Sequence, residues 1–294
     1  MGNGWHNVNK EEPCPICGKT DWCSVSDDGA VCVCRRTESP HPTKSGIGWI
    51  HRLREGSEVG RRGGGGERIL IQTSTHPSLD ADAYFRKLAT GNEQVRLCRY
   101  LMREISIPCD MMLTMDVRWD RQAKCAAFPM RDADGKITGL RYRQLKTGSK
   151  WSLKGGKDGL FYIPDFFSGQ SRELVVCEGP TDMLAAASCG ITNVVGRSSC
   201  MTGANHILEM LRLIKAECVS IVADDDKPKT RPDGSTFTPG IDGARKLAQD
   251  LRVPSRIMFP PPGFKDMREW YAKGGMTAEA FRSIAAGAKW EVPK

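Results

Sequence analysis

The sequence has no run approaching the ~18 consecutive apolar residues of a membrane-spanning helix, so no span is expected. Residues 1–12 are polar and hold no apolar core, so no secretory signal is expected either. The G-x-x-x-x-G-K-S/T phosphate loop is missing, which excludes a fused helicase or ATPase. A chain of 294 residues, 39% hydrophobic and 27% charged, is globular rather than disordered, with room for two or three domains. Its 12 cysteines lack a secretory context. The expected setting is a reducing cytoplasm, where close cysteine pairs mean metal more often than disulfide.

Those pairs open the chain. Cys14-Pro15-Ile16-Cys17-Gly18 is followed by Cys32-Val33-Cys34, with the turn signal Asp27-Asp28-Gly29 between them. A hairpin there folds the second pair onto the first and predicts a tetrahedral zinc site of Cys14, Cys17, Cys32 and Cys34. The second pair is CxC, tighter than CxxC, so Cys23 and His41 stand as substitutes for the fourth ligand. Residues 1–54 have few large apolar groups, and metal is expected to hold them together. Lys19, Arg35, Arg36, Lys44, Arg52 and Arg54 alternate with Trp22, Trp49 and His51. Cations beside aromatics suit single-stranded nucleic acid; the alternative is that Trp22 and Trp49 are simply the small core. Residues 55–67, with Gly63 to Gly66, read as a flexible linker.

Residues 80–113 carry apolar side chains at helical spacing. Phe128 to Arg143 reads as a strand, a Asp134-Gly135 turn and a return strand. From Arg118 to Lys157 there are eleven Lys/Arg against three Asp, an excess of eight that equals the net charge of the whole chain. Such a one-signed surface suits a phosphate backbone or a nucleoside triphosphate. Arg131, Arg141, Arg143, Lys150 and Lys154 are the candidate contacts, with Lys265 further on.

Two short apolar runs follow. Leu174-Val175-Val176-Cys177 ends in Glu178-Gly179-Pro180-Thr181-Asp182, and Val219 to Ala223 ends in Asp224-Asp225-Asp226. Runs of this kind are buried strands of a parallel sheet, whose ligands bind at the strand ends. Neighbouring strands would bring Glu178, Asp224 and Asp226 together, and three such carboxylates call for a divalent cation.

Glu178-Gly179 with Asp182, then Asp224-x-Asp226, resembles the Toprim signature of primases, topoisomerases and some nucleases, over roughly residues 171–275. The cysteine pairs resemble the ribbon of bacterial and phage primases. Phe128-Pro129, Arg141-Tyr142-Arg143, Lys150 and Gly159-Leu160-Phe161 resemble the segment before Toprim in phage and mobile-element primases. Pro262-Gly263-Phe264-Lys265-Asp266 resembles a primase element that adds another acid near the metals. One departure is residues 227–239, which intervene before the Gly240 helix.

The resemblance implies three domains: a zinc ribbon (1–54), then, after the linker, a basic α+β domain (68–170), and an α/β Toprim domain with a mainly parallel sheet (171–294). It implies synthesis of short RNA primers on single-stranded DNA from nucleoside triphosphates. Glu178, Asp224 and Asp226 would hold magnesium or manganese, assisted by Asp182 and Asp266. A separate replicative helicase is the implied partner. A Toprim nuclease and a non-catalytic single-stranded-DNA-binding protein remain the alternatives.

Overall fold

A computed structural model describes residues 5–39, 41, 43, 48–53, 79–167, 170–230 and 235–291. The predicted linker, Lys44 and Arg54 lie outside the described residues. The chain divides into two compact units, residues 1–75 and 76–294.

The first unit is a four-stranded antiparallel sheet: β1 (Trp5–Asn7), β2 (Ser24–Ser26), β3 (Val31–Cys34) and β4 (Trp49–Arg52), paired in that order. The predicted turn joins β2 to β3. Gly29 stands at φ +66° and donates its amide to the Ser26 carbonyl at 2.7 Å, a conformation glycine reaches without strain. The buried centre is Val8 with Cys14, Cys23, Cys32 and Cys34. So small an apolar core gives sulfur chemistry the main part in holding the unit together.

The second unit opens with three helices, α1 (Ala81–Arg86), α2 (Asn92–Ile105) and α3 (Cys109–Thr114). An antiparallel set follows: β5 (Arg118–Asp120), β6 (Cys125–Arg131), β7 (Ile137–Arg143), β8 (Lys150–Ser152) and β9 (Leu160–Phe161). Alternating strands and helices come next, β10 (Glu173–Cys177), α4 (Pro180–Ser188), β11 (Val194–Arg197), α5 (Ala204–Ile214) and β12 (Cys218–Val222). A pair of two-residue antiparallel strands, β13 (Lys229–Thr230) and β14 (Thr236–Phe237), lies in the 227–239 departure. The chain closes with α6 (Pro239–Leu251), β15 (Ser255–Met258), α7 (Met267–Gly274), α8 (Ala278–Gly287) and β16 (Trp290–Glu291).

One ten-stranded sheet runs through this unit in the order β16-β15-β12-β10-β11-β9-β6-β7-β8, with β5 beside β6. The pairs β10–β11, β10–β12 and β12–β15 are parallel; β11 joins the antiparallel half through β9. The basic segment and the acid-bearing segment therefore share one sheet.

The apolar runs are explained by burial on both faces. Along β10, Val175 and Cys177 enter the core beneath α2, α3, α4, α7 and α8, while Leu174 and Val176 enter the core under α5 and α6. Period-two alternation then leaves no polar face to show in the sequence. A third cluster packs Phe85 of α1, and Leu88 just after it, on Leu140 and Tyr142 of β7. No helix among the described residues is long and apolar enough to cross a membrane.

Candidate active site

Glu178 follows β10, and Asp224 and Asp226 follow the adjacent parallel strand β12. Parallel neighbours end on the same side, so the three acids meet: one carboxylate oxygen from each lies within 4.8 Å of the others. The backbone narrows to let this happen. A Cβ on Gly196 of β11 would come 2.5 Å from the Gly179 carbonyl oxygen, and one on Gly240 of α6 would overlap the Asp224 carbonyl. Only glycine lets the neighbouring elements close on the two strand ends. The Asp224 amide donates to Glu178 Oε1 at 3.3 Å, tying the second strand end to the first. Asp225 is exposed and outside the group, its amide donating to the Lys265 carbonyl at 2.7 Å.

The electrostatics fit a cation site. Burial, then the Asp226 charge, pushes Glu178 above its ordinary value, against relief from the Asp224 amide and Arg197. Burial, with Asp182 and Glu178 beside it, pushes Asp224 up to about 8. Half-buried carboxylates that repel in this way bind a hard divalent cation through oxygen.

Two cations border the triad. Lys265 Nζ lies 3.2 Å from Asp226 and 3.8 Å from Asp224. Burial opposes its charge, but Asp224 and Asp226 prevail and hold it above the usual lysine value. Arg197, at the end of β11, is buried; its Nη1 donates to the Cys200 carbonyl at 2.7 Å. Its Nε and Nη2 are buried without a hydrogen-bond partner, and Glu178 is the leading charge that offsets its burial. An arginine at a strand end reads as surface in a sequence, so no pattern signalled it.

Asp182 and Asp266 form a second pair rather than joining the triad. Asp182 Oδ1 accepts the Arg268 amide at 3.1 Å, and Asp266 caps α7 by accepting the Glu269 amide at 2.6 Å. Burial and the Asp266 charge raise Asp182 to about 6.

The antiparallel half contributes a basic face. Across β7 and β8, Arg143 pairs with Lys150 and Arg141 with Ser152, so these four side chains share one side. Tyr142 and Trp151 take the other, with ring centroids 5.7 Å apart. Burial lowers Arg141; burial and Arg268 lower Arg143; burial and Arg143 lower Lys150. Asp182 and Arg268 both act on Lys150, so this face adjoins the acids, and Arg268 extends it. Lys154 is exposed in the turn after β8. Arg131 is spent on the β6–β7 hairpin, where its Nη1 donates to the Gly135 carbonyl at 3.0 Å.

In the first unit the sulfurs of Cys14, Cys17, Cys23 and Cys34 lie within 4.8 Å of one another. The structure thus replaces Cys32 by Cys23 in the expected set. Cys32 and Cys34 lie on one face of β3 two residues apart, ~6.6 Å along the strand. Side chains that stand side by side there do not converge by themselves, and of the two only Cys34 has its sulfur in the group. Cys23 stands 3.8 Å from Cys17 and 3.9 Å from Cys34, whereas Cys32, 3.6 Å from Cys14, is outside the group of four. The Thr37 amide donates to Cys34 Sγ and Arg36 Nη1 to Cys23 Sγ, as thiolate ligands require. His41 is not in the group. Trp22 is 71% exposed, with Arg36 stacked over it at 5.6 Å, so it is not core.

No family model matches the chain. The Gene 57 protein of Mycobacterium phage D29 is 26% identical over 143 residues, 48% of this chain and 84% of that protein. A DnaG primase catalytic domain solved with single-stranded DNA superposes with a TM-score of 0.54 at 17% identity, over 71% of this chain and 77% of that one. The zinc-binding and RNA polymerase domains of Aquifex aeolicus primase give 0.52 at 14%, over 69% of this chain and 63% of that one. These likenesses show the fold class: an α/β unit with a mixed sheet, preceded by a small antiparallel cysteine-bearing unit. Within it, the fold is that of DnaG-type primase catalytic cores.

Proposed function

We propose that this chain is a DNA primase, making short RNA primers on single-stranded DNA by metal-dependent nucleotidyl transfer. The observation that carries the reading is the triad of Glu178, Asp224 and Asp226, within 4.8 Å on adjacent strand ends of a primase-core fold. The DNA-bound relative supports a single-stranded template, and the Aquifex relative supports structural zinc on the four cysteines.

The donor set is all oxygen, which suits magnesium or manganese. Such ions, when bound, offset the charge that builds on the transferred phosphoryl group. Glu178, Asp224 and Asp226 would hold them, with the Asp224 amide fixing Glu178. Burial lowers Arg197, and Glu178 is the leading charge that offsets it, so the two act on each other at the site. Arg141, Arg143, Lys150 and Arg268 would bind template phosphates and the triphosphate beside the acids. Asp182 and Asp266 set the start of α7, and so the turn that carries Lys265. On the ribbon, the exposed Trp22, backed by Arg36, offers a stacking face to template bases. A separate replicative helicase would supply the unwound strand.

The test is incubation of the chain with single-stranded DNA, labelled nucleoside triphosphates and magnesium. Short RNA products are expected. Shortened DNA would point to a nuclease, and binding without turnover to an accessory DNA-binding protein.

A further inference from the structure

Lys265 sits in the turn between β15 and α7 with its backbone held at both sides. Its carbonyl accepts the Asp225 amide at 2.7 Å, and its own amide donates to Glu269 Oε2 at 2.9 Å. The side chain is 55% exposed, yet its ammonium reaches into the triad, 3.2 Å from Asp226 and 3.8 Å from Asp224. A fixed backbone with a four-carbon stem gives the ammonium freedom to swing while the turn stays put. The carboxylates it touches are two of the three that would hold the divalent cation. An ammonium and a divalent ion on the same two carboxylates repel, so one excludes the other.

We infer that Lys265 is an internal competitor for the metal, released onto the phosphates of the incoming nucleotide. This rests on reading Glu178, Asp224 and Asp226 as the metal centre. The ammonium occupies Asp224 and Asp226 until a triphosphate offers it other oxygens. Its departure frees those carboxylates for the divalent ion, and the ion's arrival releases the lysine to the nucleotide. Metal and nucleotide therefore raise each other's affinity by one common factor, as linkage requires. A lysine that only lined the rim would bind phosphate equally well with and without metal, and would leave metal affinity unchanged. Arg197 cannot take this part, because it is buried and its Nη1 is tied to the Cys200 carbonyl.

The experiment measures manganese binding to the full chain by the electron paramagnetic resonance of the free ion, without nucleotide. Lys265→Met should bind manganese ~10-fold more tightly than wild type, within the usual range of coupling. Lys265→Arg, which keeps the charge, should bind as wild type does. Binding of a methylene-bridged ATP analogue is then compared in chelator and in manganese. Lys265→Met should lose more affinity in manganese than in chelator. Unchanged or weaker manganese binding in Lys265→Met, with wild type binding normally, overturns the inference and leaves the metal centre intact. Equal nucleotide losses in the two conditions overturn it as well. Should Lys265→Met fold poorly by circular dichroism, Lys265→Gln replaces it under the same criteria. Glu178→Gln is the control. If wild type binds no more manganese than that variant, the metal centre itself is disproved and the inference falls with it.

Discussion

The backbone amide of Arg268 donates to Asp182 Oδ1 at 3.1 Å, joining residues 86 apart in the chain. This bond fastens the first turn of α7 to the first turn of α4. Asp182 thus works as an acceptor for a helix N-terminal amide, next to Asp266, which caps the same helix. Asp182→Ala leaves that amide buried without a partner and should cost ~1–3 kcal/mol, read by denaturant unfolding. Asp182→Asn keeps an acceptor oxygen and removes a charge that repels Asp266 and Asp224. It should be as stable as wild type or more so, and it should lose less activity than Asp224→Asn.

The zinc assignment makes a contrast between two buried cysteines. Cys23→Ser removes a member of the four-sulfur group and should release the metal, unfolding a unit whose core is otherwise too small. Cys32→Ser should keep about one zinc per chain, because Cys32 is outside the four-sulfur group. Metal analysis of the two purified variants decides it. Zinc retained in Cys23→Ser and lost from Cys32→Ser would restore the set read from spacing.

That spacing was misleading for a physical reason. Cys32-x-Cys34 is close in sequence, but on a strand the two side chains stand side by side ~6.6 Å apart and do not converge by themselves, and Cys23 fills the place. Cys23, just before β2, is near Cys34 only once the strands pair. The meeting of Glu178, Asp224 and Asp226 was legible because an apolar run ending in acids states both the strand and its end. Arg141, Arg143 and Lys150 were legible through charge excess and two-residue alternation. Arg131 has the same composition and neighbours, and only the hairpin geometry reveals that its guanidinium bonds to Gly135. Arg197 and the Asp182–Arg268 bond depend on contacts between distant segments, for which no local pattern exists. The continuity of the sheet through β9 was equally invisible, since β9 has only two residues.

Asp224 gives a pH signature. Its folded-state value of about 8 lies above its ordinary value of 3.8, so between these limits the folded state binds the extra proton. Stability then falls as pH rises through that window. Asp182, raised to about 6, adds the same sign over the lower part. In chelator, Asp224→Asn should melt at least ~4 °C above wild type at pH 8, the shift that ~1–2 kcal/mol gives in a domain of this size. The gap should close near pH 4. Manganese should raise wild type at pH 8 and leave the variant where it was. Parallel pH curves for the two proteins in chelator would contradict the raised value.

Phosphate tracking by the basic face predicts a salt effect. Single-stranded DNA binding should weaken steeply with salt, and each phosphate contact removed should reduce the log–log slope by ~0.7. Arg141→Ala and Arg143→Ala, on the face shared with Lys150, should each lower affinity and slope. Trp151→Ala lies on the opposite side of the same strands and should leave the slope unchanged. Lys154→Ala, in an exposed turn, should have a smaller effect than either arginine. Fluorescence anisotropy over a salt series separates these cases, and one common slope for all four variants would reduce the face to a solvated surface.

The acids after β12 offer a test of the metal centre within three consecutive residues. Asp224 and Asp226 turn toward Glu178, while Asp225 is exposed and contributes its backbone amide to the Lys265 carbonyl. Glu178→Gln, Asp224→Asn and Asp226→Asn each remove a carboxylate that would hold the ion. Each should lower primer synthesis by at least ~10²-fold, a typical penalty for one key electrostatic group. Asp225→Asn alters the same local charge but leaves the triad and the backbone bond intact. It should stay within about tenfold of wild type, a barrier change below ~1.4 kcal/mol. General damage from neutralising an acidic loop would strike all three aspartates alike, whereas a metal centre spares the middle one. Circular dichroism on each variant confirms the fold, so that the rates compare chemistry. If Asp225→Asn is as inactive as its neighbours, the alternation after β12 is not what sets the site. If none of the four variants loses activity, catalysis does not run through these carboxylates.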